Sequence, residues 1–201
     1  MKKIILSALV LCAFSFNANA QKPELKLGAK AGLNVSSISG DGDSSSRTGF
    51  NVGVVAEYFV TEKFSIQPEI LYSAQGAKYE FTEIINTGVG IPQRFTVKET
   101  MKLDYINVPI MAKYYVFDGL NVQAGPQIGF LASAKDGSVN IKDEMKSVDF
   151  SLNLGAGYEL PMGVFFDARY NIGLTDVAKK VEGEKIKSKN GVFQVSVGYK
   201  F

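Results

Sequence analysis

The stretch VFQVSVGYKF, residues 192–201, decides the fold of this 201-residue chain. Apolar residues occupy every second position, and polar residues or glycine fill the positions between them. A period of two predicts a β-strand with one apolar and one polar face. Both edges of such a strand need a partner, and closing a barrel against the first strand leaves no edge open. Its apolar face consists of Phe193, Val195, Val197, Tyr199 and Phe201.

Seven further segments show the same alternation, and the connections between segments are alternately long and short. This layout is typical of outer-membrane barrels, in which long loops face outside and short turns face the periplasm. The sequence therefore predicts an all-β fold, an eight-stranded antiparallel up-and-down transmembrane β-barrel. Pro109 and Pro126 conflict with central strand positions, and we expect bulges or interrupted hydrogen-bond ladders there. The long connections are predicted at 36–48, 82–100, 135–147 and 176–190, and the short ones at 61–62, 118–119 and 161–163.

The apolar face is predicted to point toward lipid and the other face toward the lumen. The alternative is a soluble barrel of the lipocalin kind, with apolar side chains inside. Glycine, serine and a few charged residues dominate the other face, and such residues fit the narrow interior of eight strands. Aromatic residues of the apolar face also cluster near the strand ends, as in the girdles of membrane barrels. The predicted girdle consists of Tyr58, Tyr114, Tyr158 and Tyr199 at one end and Phe50, Phe130, Phe150 and Phe193 at the other.

The first twenty residues have the pattern of a secretory signal peptide. A basic start precedes an apolar run, and the small residues Ala18 and Ala20 suit cleavage by a signal peptidase. We therefore predict a signal peptide at 1–20 and an outer-membrane β-barrel domain at 21–201. Cys12 is the single cysteine and lies within the apolar run, so no disulfide is expected in the exported protein.

The composition argues against several classes of function. The chain has 22 Lys and Arg and 20 Asp and Glu, and removing Lys2 and Lys3 with the signal peptide leaves 20 of each. The net charge is therefore about zero, so no overall electrostatic field favours nucleic acid as a partner. Histidine is absent, so the usual nucleophile–base pairs and zinc sites cannot be assembled. We predict no enzyme activity, no cofactor and no metal; a hydrolase that uses two carboxylates is the remaining enzymatic alternative.

Residues 103–114, LDYINVPIMAKY, and the ending VGYKF, residues 197–201, resemble the PorT-like family of outer-membrane β-barrels. A more distant resemblance is to the small barrels of the OmpA and OmpX type. The resemblance implies a barrel in the cell outer membrane, in contact with outer-membrane lipid. It also implies that the aromatic Phe201 is an assembly signal read by the barrel-assembly machinery. We expect the barrel to be a monomer.

Ten charged residues are predicted to point into the lumen, five acidic and five basic. They could line a narrow pathway for ions or small solutes, or they could form a salt-bridge network that plugs the barrel, because buried charges must be paired. Eight strands leave little bore, which favours the plug. We expect its centre at Arg169, with Glu57, Glu69 and Asp167. Lys113 and Glu159 complete the predicted network, and Lys26, Lys30, Asp149 and Lys200 are the other inward charges.

Two loops hold weaker candidates for binding. Asp41 and Asp43 could bind Ca²⁺, but they lack the spacing of a calcium loop, which favours a solvated turn. The basic run at 179–189 could contact the phosphates of surface lipid or lie in solvent. Three hypotheses for function follow. The first is a structural or interaction role through the outer loops, with an envelope protein as partner; the others are a narrow porin-like channel and an accessory barrel of a secretion or assembly complex.

Overall fold

A computed structural model of the protein describes residues 25–40, 44–86, 92–179 and 188–201. The predicted signal peptide, the pair Asp41 and Asp43, and residues 180–187 of the basic run lie outside these ranges. Within the described residues, no helix combines the length and the apolar character needed to cross a membrane.

The described strands form one antiparallel sheet that closes on itself. The first strand pairs with the last, from Gly28 opposite Lys200 to Gly40 opposite Ser188. The predicted eight-stranded antiparallel barrel is therefore confirmed. Its wall consists of β1 (Leu25–Gly40), β2 (Ser44–Phe59), β3 (Phe64–Asn86), β4 (Pro92–Tyr115), β5 (Leu120–Asp136), β7 (Val148–Glu159), β8 (Val164–Asp176) and β9 (Ser188–Lys200), while β6 (Val139–Asn140) pairs with β5 outside the wall.

Burial of the side chains follows the period of two. On β1, Leu33 is 63% exposed, whereas the next residue, Asn34, is completely buried. On β7 the outward Phe150 is 48% exposed and its neighbour Ser151 is 2% exposed. The apolar residues thus cover the outside of the barrel and the polar residues fill the inside, which is the reverse of a soluble barrel.

The two internal prolines interrupt the pairing of the wall strands. The β3–β4 ladder has a gap opposite Pro109, and the β4–β5 ladder has a gap opposite Pro126. The register on the two sides of each gap is the same, so these are the predicted interruptions and not bulges. A change of register in the β4–β5 ladder lies further on, between Asp104 and Tyr105.

The two ends of the barrel differ. Short connections at 60–63, 116–119 and 160–163 lie at one end, together with the first residue of β1 and the last residue of β9. We call this the turn end and the opposite one the loop end. Short hairpin turns fix the register of the strands that they join, so the turn end is uniform around the barrel.

The prediction of long irregular loops at 36–48 and 82–100 is wrong. β1 runs to Gly40 and β2 begins at Ser44, and β3 and β4 together occupy most of the second range. The segment 135–147 holds the end of β5, all of β6 and a 3₁₀-helix at Lys142–Glu144, and β9 begins at Ser188 within the fourth range. Glycine- and proline-containing stretches indicate where a chain turns but not where the paired strands on either side of the turn end.

β3 and β4 extend furthest beyond the wall. They contain 23 and 24 residues, against 12 and 13 in β7 and β8, and about 9–11 residues suffice to cross a membrane. β2 pairs with β3 only as far as Tyr79, and β5 pairs with β4 only as far as Met101. Residues 81–86 and 92–99 therefore form a two-stranded ribbon without a third strand on either edge among the described residues. We call it the β3–β4 ribbon.

Candidate functional site in the barrel lumen

The charged residues of the lumen form two clusters, and the lower cluster lies next to the turn end. Lys113 Nζ lies 3.2 Å from Glu57 Oε1, and Lys200 Nζ lies 2.6 Å from Glu159 Oε2. Lys200 also contacts Glu57 and so joins the two pairs. Lys26 Nζ, 3.4 Å from Glu159 Oε1, is the most exposed member. We define the lower cluster as Lys26, Glu57, Lys113, Glu159 and Lys200.

Aromatic rings cover the lower cluster at the turn end. The Tyr115 hydroxyl lies 2.8 Å from Glu57 Oε1 and 3.1 Å from Glu159 Oε2, so its one proton is shared between the two carboxylates. Its ring stacks on Phe59 with the ring centroids 5.5 Å apart, and Lys26 Nζ lies 5.2 Å from the Phe59 centroid. The carboxylates of Glu57 and Glu159 are therefore shielded from the turn end by Tyr115 and Phe59. Tyr115 contacts both carboxylates, and Phe59 contacts Lys26, the partner of Glu159.

The upper cluster consists of Lys30, Glu69, Asp167 and Arg169. Arg169 donates to both carboxylate oxygens of Glu69, at 2.9 Å from Nη1 and 2.7 Å from Nη2. Nη2 also lies 3.0 Å from Asp167 Oδ2, and Lys30 Nζ lies 2.9 Å from Glu69 Oε2. The side chains of Arg169 and Glu69 are 2% and 0% exposed. A buried, bidentate pair of this kind is both strong and directional.

Gln67 connects the two clusters. Its Nε2 donates to Glu69 Oε1 at 2.6 Å, and its Oε1 accepts from Lys113 Nζ at 3.2 Å. The charged residues of both clusters are thus parts of one hydrogen-bonded network. Because each amide atom of Gln67 serves one cluster, the side chain is satisfied only while both are in place.

A glycine in the neighbouring strand provides the space for Arg169. Gly155 pairs with Arg169 in the β7–β8 ladder, and a Cβ at position 155 would lie 2.8 Å from Arg169 Cγ. The absence of a side chain there lets the arginine lie flat across the neighbouring strand. The glycines of the polar face are therefore as much a part of the network as its charges.

Amides and hydroxyls fill the lumen above the charge clusters. Asn51 Nδ2 donates to Asn34 Oδ1 at 2.7 Å, and Asn34 Nδ2 donates to Ser73 Oγ at 3.0 Å. Over the intervening strand β1, Ser196 Oγ donates to Asn51 Oδ1 at 3.0 Å. The same kind of contact continues on the other side, where Asn171 donates to Ser151 and Asn153 donates to Gln127.

An apolar cluster closes the loop end, and we call it the apolar cap. Met145 and Val177, from the connections after β5 and β8, pack onto inward residues of the wall such as Leu103. Backbone hydrogen bonds hold the two connections together, from Lys146 N to Val177 O at 2.8 Å and from Lys179 N to Glu144 O at 2.9 Å. The buried members are Ile38, Ala77, Leu103, Tyr105, Leu131, Ala134, Met145 and Val177.

Tyr79 marks the upper edge of the apolar cap. Its side chain is partly buried against the cap and lies well beyond the outward apolar band of β3. Burial raises the pKa of the Tyr79 hydroxyl, and the nearby Asp136 carboxylate raises it further. The hydroxyl therefore stays neutral at physiological pH, as the apolar surroundings require.

The structure brings most of the predicted network residues together, but around two centres. Arg169 contacts Glu69 and Asp167 as expected, whereas Glu57 is bound by Lys113 and Lys200 in the lower cluster. The expectation that Glu57 lies beside Arg169 is therefore wrong. Of the other predicted residues, Lys113 and Glu159 belong to the lower cluster.

Some members of the lumen network were not expected from the sequence. Gln67 and Tyr115 lie on the predicted inward face, but only charged residues of that face were considered as network members. Asp149 points inward as well, but it accepts a hydrogen bond from Thr175 near the loop end and does not join either cluster. The apolar cap had no signal in the sequence, since its two loop residues belong to no alternating segment.

The predicted girdle residues all lie on the outer surface of the barrel. Tyr114, Tyr158 and Tyr199 are 45–52% exposed and Phe50, Phe130, Phe150 and Phe193 are 45–50% exposed, whereas Tyr58 is partly buried. Phe50 and Tyr58 are the ends of a nine-residue segment of β2, and Phe150 and Tyr158 are the ends of an equally long segment of β7. Nine residues agree with the length that a tilted strand needs to cross a membrane. Phe201 is 77% exposed at the turn end.

No group of three or more His, Cys, Asp or Glu residues that could hold a metal ion occurs in the described part of the chain. The carboxylates of the two charge clusters are engaged by lysine, arginine and tyrosine.

Comparison with known proteins agrees with this geometry. The profile of a family described as "outer membrane protein beta-barrel domain" matches residues 19–179. No curated protein sequence matches the chain significantly.

Three solved structures illustrate the likeness. Neisserial surface protein A (NspA) is 16% identical, with a TM-score of 0.50 over 90% of this chain and 100% of that one. Ail, the attachment invasion locus protein of Yersinia pestis, is 14% identical, with a TM-score of 0.50 over 89% and 99%. The outer membrane protein OprG from Pseudomonas aeruginosa is 11% identical, with a TM-score of 0.48 over 89% and 97%. The first two show that this chain has the fold of small outer-membrane barrels.

Proposed function

The chain belongs to the outer membrane protein β-barrel domain family, and we propose that it acts as a non-enzymatic interaction protein whose lumen is plugged. The protein lies in the outer membrane. Barrels of this class keep their short turns in the periplasm, so the turn end faces the periplasm and the loop end faces the outside.

The filled lumen supports a role that does not depend on transport. An eight-stranded barrel has an interior just wide enough for side chains. Here two charge clusters, a layer of amides and the apolar cap occupy that interior one above another. A conducting state would require at least the Arg169–Glu69 pair and the apolar cap to separate.

The β3–β4 ribbon carries the proposal of an interaction role. Its backbone is extended and paired from Phe81 opposite Val97 to Asn86 opposite Pro92. Its outer edges have no strand beside them among the described residues, and open strand edges are sites at which another chain can add a strand. The ribbon extends for about 20 Å along the strands at a rise of about 3.3 Å per residue, so a partner can reach it outside the membrane.

The partner that fits best is another envelope protein that contributes an extended segment. The resemblance to PorT-like barrels supports this choice, because an accessory barrel of a secretion or assembly complex would need such a contact. The girdle residues would hold the barrel in lipid, and the exposed Phe201 would be read by the barrel-assembly machinery. The barrel itself would be a monomer, since its wall is closed and leaves no strand edge within the membrane.

Conductance in a planar bilayer tests the plugged lumen. The refolded protein, processed at the predicted cleavage site, should give no discrete openings above the lipid baseline, while heat-dependent gel mobility shows that the barrel is folded. Discrete openings would favour the porin-like channel instead. In that case Glu69→Lys or Arg169→Glu should change the ion selectivity, because these residues lie at the narrow centre of the lumen.

Site-specific photocrosslinking tests the interaction role. A photoreactive amino acid at Thr96, an exposed position of the ribbon, should form a crosslinked adduct with one envelope protein in living cells. The same group at Lys63, an exposed residue of a periplasmic turn, should not form that adduct. The same envelope protein should co-purify with the unmodified barrel but not with a variant in which residues 82–96 are replaced by Asn-Gly, because this two-residue turn rejoins the paired positions 81 and 97 and removes most of the ribbon. Co-purification that survives this shortening would contradict the proposal.

A further inference from the structure

Three lysines form a strip on the outer wall of the barrel. Lys78 on β3, Lys102 on β4 and Lys135 on β5 are all exposed and point outward on neighbouring strands. We call them the lysine strip. Its centre is the pair Lys102 and Lys135, which lie directly opposite each other in the β4–β5 ladder.

The pairing within the lysine strip is unfavourable in the absence of a ligand. Residues directly opposite in an antiparallel ladder have Cβ atoms about 5 Å apart, and like charges there destabilise the sheet. Lys78 is opposite Thr100, which is the next outward residue after Lys102, so it lies diagonally beside the pair. Gly76 is opposite Lys102 in the β3–β4 ladder, so no side chain faces Lys102 from that position.

A fourth ammonium group is brought to the same part of the wall. Lys142, from the 3₁₀-helix after β6, donates from Nζ to Ala132 O at 2.9 Å. Ala132 is an exposed, outward residue of β5 only three positions before Lys135. The long side chain of Lys142 thus returns to the barrel wall and increases the positive charge of the strip.

Acidic residues also lie near the strip, such as Glu80, two positions after Lys78 on the same face of β3. None of the salt bridges between described residues includes Lys78, Lys102, Lys135 or Lys142. The acid next to Lys102 on β4 is Asp104, which accepts a hydrogen bond from Tyr72. The strip is therefore a local excess of positive charge on a chain whose overall charge is balanced.

The height of the lysine strip places it among lipid headgroups. Lys102 lies four residues beyond Ile106, and Lys135 lies five residues beyond the girdle residue Phe130. With a rise of about 3.3 Å per residue and a strand tilt of about 40°, this is roughly 10 Å outside the apolar band. The headgroup region extends about 5–8 Å beyond the hydrocarbon on each side. A lysine side chain can bend several ångströms back toward the membrane, so the ammonium groups reach the phosphates of this region.

We propose that the lysine strip binds the phosphate of an anionic lipid in the outer leaflet. Lysine is a strong point-charge partner for phosphate, and a phosphate between Lys102 and Lys135 converts their repulsion into two attractions. This site lies on the lipid-facing wall, separate from both the lumen and the β3–β4 ribbon. It holds the barrel at a fixed height and a fixed rotation relative to the surrounding lipid.

Binding of lipid A to the protein in neutral detergent micelles tests the site. Phosphorylated lipid A should bind the unmodified protein, and K102Q/K135Q should bind it roughly thirtyfold more weakly, because each ammonium near a lipid surface contributes about a factor of five. K63Q, which removes an exposed lysine at the opposite end, should bind like the unmodified protein. Dephosphorylated lipid A should bind all three proteins weakly and equally. Equal affinities of K102Q/K135Q and the unmodified protein for phosphorylated lipid A would overturn the proposal.

Two further measurements distinguish a lipid site from a site for free phosphate and from a purely structural role of Lys102. Inorganic phosphate at the same concentration should neither bind nor displace phosphorylated lipid A; displacement would show a site for free phosphate and not for lipid.

In neutral detergent, K102Q should raise the thermal unfolding midpoint because it removes the repulsion from Lys135. In the presence of phosphorylated lipid A the same substitution should lower the midpoint. An effect of the same sign in both conditions would show that Lys102 has only a structural role.

Discussion

The lumen is closed by two regions that differ in their chemistry and in their origin. The charge clusters consist of residues from the wall strands, and their contacts follow from the register of the barrel. The apolar cap depends on Met145 and Val177, which lie in connections and reach the lumen only when these fold over the opening. The first region is therefore as rigid as the wall, whereas the second can open without a change in the wall.

This difference separates two energetic roles. Buried charges require partners, so the loss of one partner affects the entire barrel. Apolar packing by a connection mainly stabilises that connection, because the wall retains its own hydrogen bonds. The two regions should consequently respond to substitution in different assays.

The largest effect is expected for Arg169→Met. This substitution leaves Glu69 and Asp167 buried with Lys30 as their nearest cation, and breaking a buried ion pair in this way costs about 3–5 kcal/mol. Unfolding by urea in detergent micelles, followed by far-ultraviolet circular dichroism, measures the change in free energy.

Two controls accompany this substitution. Arg169→Lys keeps the charge but loses the bidentate geometry, and it should cost less than Arg169→Met. Lys63→Gln at the exposed turn should change the stability by no more than about 0.5 kcal/mol. If Arg169→Met costs less than about 1 kcal/mol, the upper cluster is not the structural centre of the lumen.

A smaller effect on the barrel is expected for Leu103→Ala in the apolar cap. Leu103 is completely buried, and truncation of a buried leucine costs about 2–5 kcal/mol. We expect the low end of this range, because the connection at 137–147 can move away and expose the cavity to water. Limited proteolysis should show faster cleavage within this connection, while the heat-dependent gel mobility of the barrel is retained.

Ile106→Ala provides the matched control for the apolar cap. It truncates an outward residue of the same strand, which faces lipid and not the cap, so cleavage of the connection should be unchanged. The comparison between the two regions fails if Leu103→Ala lowers the urea midpoint as much as Arg169→Met, or if cleavage is not accelerated.

The same contrast explains how much could be predicted from the sequence. Arg169, Glu69 and Asp167 are found on one face by counting in steps of two, so their common location in the lumen was predictable. The assignment of Glu57 to Arg169 failed because alternation gives the face of a residue but not its height in a barrel with staggered strands. Met145 and Val177 belong to no alternating segment, so the apolar cap could not be predicted. The β3–β4 ribbon was missed because the turn-forming stretch between Asn86 and Pro92 favoured one long connection over the short alternation at Phe95 and Val97.

Gln67 provides the finest test, since it joins the two clusters without carrying a charge. Gln67→Met keeps the length of the side chain and removes one hydrogen bond from Glu69 and one from Lys113, which should cost about 1–2 kcal/mol. The more specific consequence is a change in coupling. The effect of Lys113→Met and Arg169→Met together on the free energy of unfolding should differ from the sum of their separate effects by at least about 0.5 kcal/mol, because both residues are connected through Gln67.

The coupling should fall to within experimental error when the same double-mutant cycle is measured in the Gln67→Met background. Direct electrostatic attraction through the lumen would be unaffected by this background, since the charges and their separations remain the same. A coupling that persists would therefore assign the connection between the clusters to long-range electrostatics. A coupling that disappears would show that one neutral amide makes the charges of the lumen a single network.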